Sequence, residues 1–276
     1  MRPRQLVTTT PKPIALIKRL VIDPRTAVTR ASTYANAAHL SPDFIGAVIG
    51  RYAGTRLGRQ EIDGDIIEDR VDALWSRAII ERCRVDEAPP LQRIVIGLDP
   101  PASSRTGADA CGLVAAGIAE GGIVYVLEDA TVQGLQPSGW ASRAVALYRR
   151  HEADAIVAEV NQGGEMVRAV LKQVDGTVPV REVHATRAKH VRAEPIAAMY
   201  AQGRVKHVGA GFAELEDQMC DFGIGGLSGG GSPDRLDALV WAVTELKKRG
   251  EGGGPRIRSL GSDRPPGVPW WAERVR

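Results

Sequence analysis

Cysteine is scarce in this 276-residue chain: Cys83, Cys111 and Cys220 are odd in number, far apart and in no CxxC pair. That excludes a disulfide framework and a zinc knuckle, and it points to a reducing, cytosolic compartment. Long apolar runs are missing too. None approaches the roughly 20 residues that span a bilayer, and the region after Met1 carries proline and threonine where a signal peptide needs continuous apolar sequence. A soluble, unprocessed protein with no membrane partner is the expectation. Neither sign of charge is in large excess. A formal net charge of +3 says little about partners, although arginine recurs in nearly every loop and would suit a surface that meets phosphate. No GxxxxGKS or GxxxxGKT string occurs, so the loop that cradles nucleotide phosphates is not there and ATP hydrolysis is not expected.

What the chain does have is an apolar run that drives into one carboxylate and then breaks. Arg93-Ile94-Val95-Ile96-Gly97-Leu98-Asp99 reads as a buried strand, and Pro100-Pro101 forbid its continuation. Asp99 is therefore expected at a strand tip beside a loop, a place that suits a metal ion. Ala155-Ile156-Val157-Ala158-Glu159 is a second apolar run ending in an acid. Asp234 and Asp237, three apart at the mouth of another apolar stretch, would share one face of a helix. Acids on two strands and at a helix start are the parts from which a two-metal phosphodiesterase site is assembled.

Over residues 1–75 apolar positions are too few for a convincing independent core. A short helix is expected over residues 14–20, extended chain over 29–36, and a helix opening at Ser41-Pro42 with Ser41 as its cap. The acidic and then proline-rich stretch 85–90 is the best boundary. Beyond it come strands at 93–99, 111–119 and 122–131, the last two forming a hairpin at Glu120-Gly121-Gly122. Helices at 137–151, 163–174, 191–202, 212–222 and 233–248 then alternate with strands at 155–160 and 178–184 and an extended piece at 204–208. Residues 223–232 are so glycine-rich that a mobile loop is expected there. A hairpin running into β-α alternation is an α/β sheet of mixed direction. In the ribonuclease-H-like fold the first strand, the fourth strand and the last helix bring their acids together in this order.

Each candidate also has a plainer explanation. Asp99 before proline can be a turn former, and Glu159 an exposed strand end. Asp234 follows Ser232-Pro233, where capping and the helix dipole would favour it anyway; capping and metal support both stay open. Asp237 lies too far into the helix for capping. Lys189, His190 and Arg192, with Arg181 and Arg187 before them, form a dense basic run. It reads either as a solvated face or as phosphate contacts along duplex DNA. Asn161 and Gly163 are either a simple helix start or a place where glycine lets a backbone approach DNA closely. His39, His151 and His207 show no ligand spacing.

Taken together, Asp99 in GLDP, Glu159 in VAEVNQGG and Asp237 in SPDRLDALVWA resemble the nuclease domain of the large terminase subunit of tailed bacteriophages and related gene transfer particles. The strings TTTPKP, STYANAAHL and YAGTRLGRQEIDGDI are similar to the end of the ATPase domain and the linker of the same proteins. The resemblance implies a ribonuclease-H-like mixed β-sheet flanked by helices, preceded by a small, mostly helical linker region. Residues 1–86 would be the remnant of the ATPase domain with the linker, 87–250 the nuclease domain and 251–276 a flexible tail. The implied activity is a metal-dependent endonuclease cutting concatemeric double-stranded DNA during packaging, in the bacterial host cytoplasm. Two Mg²⁺ or Mn²⁺ ions are implied as cofactors, with Asp99 bridging them, Glu159 completing one shell and Asp237 the other. Asp234 resembles an assisting helix residue, and Asp109 lies near a further acid of the family. Implied partners are double-stranded DNA, the small terminase subunit, the portal and procapsid, and the missing ATPase portion. A resolvase- or transposase-like nuclease of the same fold and a non-catalytic, prophage-derived DNA-binding or assembly module are the alternatives.

Overall fold

The computed structural model of the chain describes residues 5–9, 15–46, 62, 64, 70, 72–101, 110–161 and 164–248. The expected tail, Asp109 and Gly163 lie outside the described residues. The N-terminal part is partly helical, with α1 (Ala15–Ile22), a 3-10 helix over Thr33–His39 and a helical segment opening at Pro42. Sequence alone reads residues 29–36 as extended. Ser32 overrides that by accepting a hydrogen bond from Ala35 N at 3.2 Å, which caps the 3-10 turn. Ser41 caps as its position predicts, accepting from Phe44 N at 3.2 Å.

Then follow α2 (Arg77–Arg82), β1 (Arg84–Val85), β2 (Leu91–Asp99), β3 (Gly112–Ala119), β4 (Val124–Asp129), α3 (Pro137–Arg150), β5 (Ala155–Glu159) and α4 (Gly164–Val174). The remainder is β6 (Val180–Val183), α5 (Lys189–Ala201), β7 (Val205–Val208), α6 (Ala213–Asp221), β8 (Phe222–Gly223), β9 (Gly226–Leu227) and α7 (Asp234–Lys248). Strands β1 to β7 form one sheet in the order β1-β7-β4-β3-β2-β5-β6. Strands β2, β3 and β4 are an antiparallel meander, and the turn between the last two falls at Gly121 and Gly122, whose φ values of 85° and 77° only glycine adopts readily. β5 and β6 extend the sheet in parallel beyond β2, and β7 and β1 extend it in parallel beyond β4. This is the ribonuclease-H-like mixed sheet flanked by helices.

Period-two alternation sends the strand side chains into two cores. Ile96, Leu98, Leu113 and Ile156 pack with Trp140 of α3 and Leu171 of α4. Val95, Val114, Val126 and Val157 pack on the other face with α5, α6 and α7. The glycine-rich stretch 223–232 contains part of the β8–β9 hairpin and is not irregular throughout. Among the described residues no helix is long and apolar enough to cross a membrane.

The stretch 85–90 falls inside the sheet. On its N-terminal side β1 pairs with β7 through Arg84↔His207 and Val85↔Val208, and Trp75, Ile80 and Cys83 share a core with Met199, Tyr200 and Leu215. The expected division between residues 86 and 87 thus separates β1 and β2 of one sheet. A buried polar network fastens this edge. His207 Nε2 lies 2.7 Å from Tyr200 Oη and its Nδ1 2.9 Å from Glu216 Oε1. Arg84 Nη2 donates to both Glu216 oxygens at 2.9 and 3.0 Å, and Arg77 Nη1 to Oε2 at 3.1 Å. Burial pushes the Glu216 carboxyl up, but the His207 hydrogen bond and the charges of His207, Arg84 and Arg77 outweigh it and hold the group below its ordinary range.

Helix α7 is buried along most of its length, with Leu236, Leu239, Val243 and Leu246 all inward. It lies unusually close to the sheet. A Cβ on Gly97 of β2 would stand 2.0 Å from Ala238 O, and one on Gly112 of β3 would stand 2.0 Å from Asp234 O. Both neighbours are backbone and cannot swing aside, so the two glycines set the depth at which α7 sits.

Two expectations follow from this packing. Gly97→Ala forces α7 off the sheet and should cost about 3 kcal/mol in chemical denaturation, whereas a loss under about 1 kcal/mol would show that the helix shifts freely. Glu216→Ala leaves the half-buried Arg77 and Arg84 and the buried His207 without their partner and should cost about 3 kcal/mol near neutrality. Because the Glu216 carboxyl is depressed in the folded state, its contribution is present above the unfolded value of about 4.3 and is lost as pH falls through the lower folded value. The difference between variant and wild type should therefore shrink in acid.

Candidate active site

The register Leu98↔Ala158 between parallel strands β2 and β5 sets the next residues, Asp99 and Glu159, side by side at the ends of their strands. Asp99 follows Gly97 by two and so shares its face of the sheet, the face covered by α7. Across β3 its partner is Gly112, over which the backbone of Asp234 rests. The first turn of α7 therefore brings Asp234 and Asp237 to Asp99. Three of these acids are nearly inaccessible: Asp99 is 8 % exposed, Asp234 6 % and Asp237 3 %.

Buried carboxylates in one place repel one another. Burial pushes the Asp99 carboxyl well above the usual range, and the charges of Asp237, Glu159 and Asp234 push it further, with Lys189 opposing. Burial also raises Asp237, against the pull of Lys189 and Arg192. Two cations from the start of α5 offset this charge. Lys189 Nζ stands 2.5 Å from Asp237 Oδ2 and donates to Ser232 Oγ at 2.7 Å. Burial works against the Lys189 ammonium, but the charges of Asp237, Asp99 and Asp234 outweigh it and hold the group above its ordinary value. Arg192 donates to Glu159 Oε2 and to Asp237 Oδ1, both at 3.2 Å, and its guanidinium lies 4.5 Å from the ring centre of Trp241. Trp241 Nε1 donates to the same Glu159 Oε2 at 2.7 Å.

With these cations in place, no group of three or more His, Cys, Asp or Glu side chains among the described residues is arranged to hold a metal ion as it lies. The donor set nevertheless fits a divalent cation. It is made of carboxylate oxygens, the ligands that Mg²⁺ and Mn²⁺ prefer. Asp237 Oδ2 is buried and, although within ion-pair distance of Lys189, has no hydrogen-bond partner of proper geometry among the described residues. The Asp99 carboxyl, raised by burial and by the acids around it, is a buried oxygen donor whose ionised form a divalent cation would favour.

Lys189 and Arg192, expected as phosphate contacts, lie at the acids themselves. Arg187 is exposed in the turn before α5. Asn161 ties the loop after β5 to the loop after β6, its Oδ1 accepting from Ala185 N at 2.8 Å and its Nδ2 donating to Ala185 O at 3.3 Å. Ser232 does not merely precede the helix, since its hydroxyl is engaged by Lys189. His151 pairs with Glu128 at 3.0 Å and His207 belongs to the buried network at the sheet edge. Sequence reasoning missed Trp241, Gly97 and Gly112. A signal for the inward cations was present: Lys189, Arg192, Ile196 and Met199 recur at helical spacing, which puts both cations on the stripe that packs inward.

The family model of the terminase RNaseH-like domain matches residues 96–246. No curated protein matches the chain. Among solved structures, it is similar to the large terminase nuclease from thermophilic phage G20c, at 16 % identity over 58 % of this chain and 86 % of that one, with a TM-score of 0.45. The nuclease domain of the large terminase subunit gp2 of bacterial virus Sf6 is matched at 16 % identity over 62 % of this chain and 98 % of that one, with a TM-score of 0.47. The human cytomegalovirus terminase nuclease domain, Mn soaked and inhibitor bound, is matched at 14 % identity over 63 % and 95 % of the two chains, with a TM-score of 0.48.

Ionisation of Asp99 should destabilise the metal-free fold. Its carboxyl is raised in the folded state, so the cost is negligible below the unfolded value of about 3.9, grows as pH rises toward the folded value and is constant above it. In EDTA, Asp99→Asn should melt above wild type at neutral pH, with the advantage vanishing in strong acid. A variant that melts below wild type at neutral pH would contradict this electrostatic reading.

Proposed function

The chain belongs to the terminase RNaseH-like domain family, and from that membership we propose that it is a metal-dependent endonuclease that cuts concatemeric double-stranded DNA during packaging. The observation that carries the proposal is the gathering of Asp99, Glu159, Asp234 and Asp237 at one end of the sheet, with the Asp99 carboxyl pushed up first by its burial and then by the neighbouring acids. In this reading Asp99, Glu159 and Asp237 are the residues that would hold two Mg²⁺ or Mn²⁺ ions, and Asp234 would support the set. When bound, such ions activate a water and stabilise charge on the leaving oxygen of an in-line phosphodiester displacement.

The protein's own residues do the positioning. Adjacent strand ends fix Asp99 against Glu159, and the buried start of α7 fixes Asp237. Trp241 and Arg192 orient the Glu159 carboxylate through one oxygen. Lys189 and Arg192 put positive charge beside the scissile phosphate and lessen its repulsion by the carboxylates. Asn161 joins the two loops at this rim, one of which carries Arg187, so that they meet the DNA backbone together; Gly163, outside the described residues, stays a proposed DNA contact on its place in the sequence alone. These contacts are salt-sensitive and independent of base sequence. Double-stranded DNA, the small terminase subunit, the portal and procapsid, and an ATPase portion are the partners that belong with this proposal.

One observation favours a second reading. Lys189 and Arg192 already neutralise two of the acids, as they would in a DNA-binding or assembly module that never takes up metal. Calorimetric titration with Mn²⁺ separates the two: heat of binding supports the nuclease, and no binding with DNA affinity retained supports the module. Purified protein with Mn²⁺ or Mg²⁺ is expected to nick or linearise plasmid, and Asp99→Asn to reduce cleavage to background. An Asn variant that cuts as well as wild type would contradict the proposed site.

A further inference from the structure

The chain that leads into the sheet is fastened to the β8–β9 hairpin. Arg70 Nη1 donates to the backbone carbonyls of Asp221 and Gly226, at 3.0 and 2.6 Å, so that one guanidinium nitrogen grips both sides of the hairpin. Its Nε and Nη2 bind the Asp72 carboxylate at 2.5 and 2.8 Å in a two-point pair. Leu74 N donates to Phe222 O at 3.0 Å, and Ala73 bridges Gly223 in antiparallel fashion. The fit is tight, since a Cβ on Gly223 would fall 2.5 Å from the Asp72 carboxylate.

On its other side the hairpin lines a cleft of about 460 Å³, with Phe222 and Ile224 facing Lys189, His190 and Ser232. Lys189 is the residue that bonds Ser232 and stands against Asp237. The turn that leaves the hairpin is closed by Asp221, whose carboxylate accepts from Ser228 N at 2.9 Å and Ser228 Oγ at 2.6 Å. The hairpin meets α5 where the Phe222 ring lies 6.5 Å from that of His190, the neighbour of Lys189, and the chain runs on from its closing turn through residues 229–231 to Ser232, which Lys189 binds beside Asp237.

We infer that Arg70 is a positioning residue for the proposed nuclease reaction, holding the β8–β9 hairpin and, through it, the Lys189–Ser232 pair beside Asp237. Its consequence for rate rests on the nuclease reading above, whereas the positional link is independent of it. The chemistry requires arginine. Two carbonyls and both oxygens of a carboxylate are served by one planar fork, which a lysine ammonium cannot span.

The test compares wild type, Arg70→Ala and Arg70→Lys in the full 276-residue chain, by hydrogen exchange and by single-turnover plasmid cleavage with Mn²⁺ at saturating protein. In both variants the amides of the hairpin, its closing turn and the first turn of α7 are expected to exchange about tenfold faster, with β2 and β5 unchanged. The saturated cleavage rate should fall about tenfold, DNA affinity should hold within about twofold, and lysine should restore little of the rate. Unchanged exchange at the start of α7 overturns the inference. So does faster exchange confined to the hairpin with an unaltered rate, which would make Arg70 a local clamp. A rate loss matched by weaker DNA binding also overturns it, by marking a DNA contact. Wild-type protein that does not cleave contradicts the nuclease reading, and the exchange pattern then decides the positional link alone.

Discussion

The acid cluster depends on how closely helix α7 lies on strands β2 and β3. A helix that packs on a sheet through ordinary side chains is held off its backbone by those side chains. Here Gly97 and Gly112 remove the intervening side chains, and the backbone of α7 at Asp234 and Ala238 comes down into the gaps. Asp99, two residues beyond Gly97 and opposite Gly112, then finds the first turn of α7 directly over it. Any larger residue at either glycine would lift the helix and take Asp234 and Asp237 away from Asp99. The same closeness buries the carboxylates and raises their energy, so one constraint both assembles the cluster and makes it unstable on its own.

Lys189 and Arg192 relieve that instability in the metal-free fold. Their placement is specific, because Arg192 is held between two acids and the face of Trp241 and is only 9 % exposed. The compensation leaves the Asp99 carboxyl raised, by burial first and by its acidic neighbours second, and leaves Asp237 Oδ2 in an ion pair with Lys189 but without a hydrogen bond of proper geometry. A cluster of carboxylate oxygens held close together is the donor set that divalent metal requires, and protein cations close by are suited to a phosphate brought to the same place.

Much of this was legible in the sequence because it follows from period and punctuation. The runs ending in Asp99 and Glu159 were readable as strands, with Pro100 and Pro101 marking one end, and Gly121 and Gly122 marked the hairpin. The order of strands and helices then fixed a mixed sheet. Other features depend on partners far away along the chain. β1 is two residues long and exists only because it pairs with β7, so residues before the proline stretch could not be assigned to the sheet. A glycine inside a strand does not reveal what descends onto it, which hid Gly97 and Gly112. Lys189 and Arg192 belonged to a basic run that read as surface, and only the burial of Ile196 and Met199 on the same stripe shows which way they turn.

The most direct measurement is anomalous diffraction from crystals soaked in Mn²⁺. Density bounded by Asp99, Glu159 and Asp237, with Lys189 withdrawn from Asp237, is the result expected. Mn²⁺ bound elsewhere, or no density with Lys189 and Arg192 still on the acids, would contradict the assignment of this cluster as the metal-dependent site.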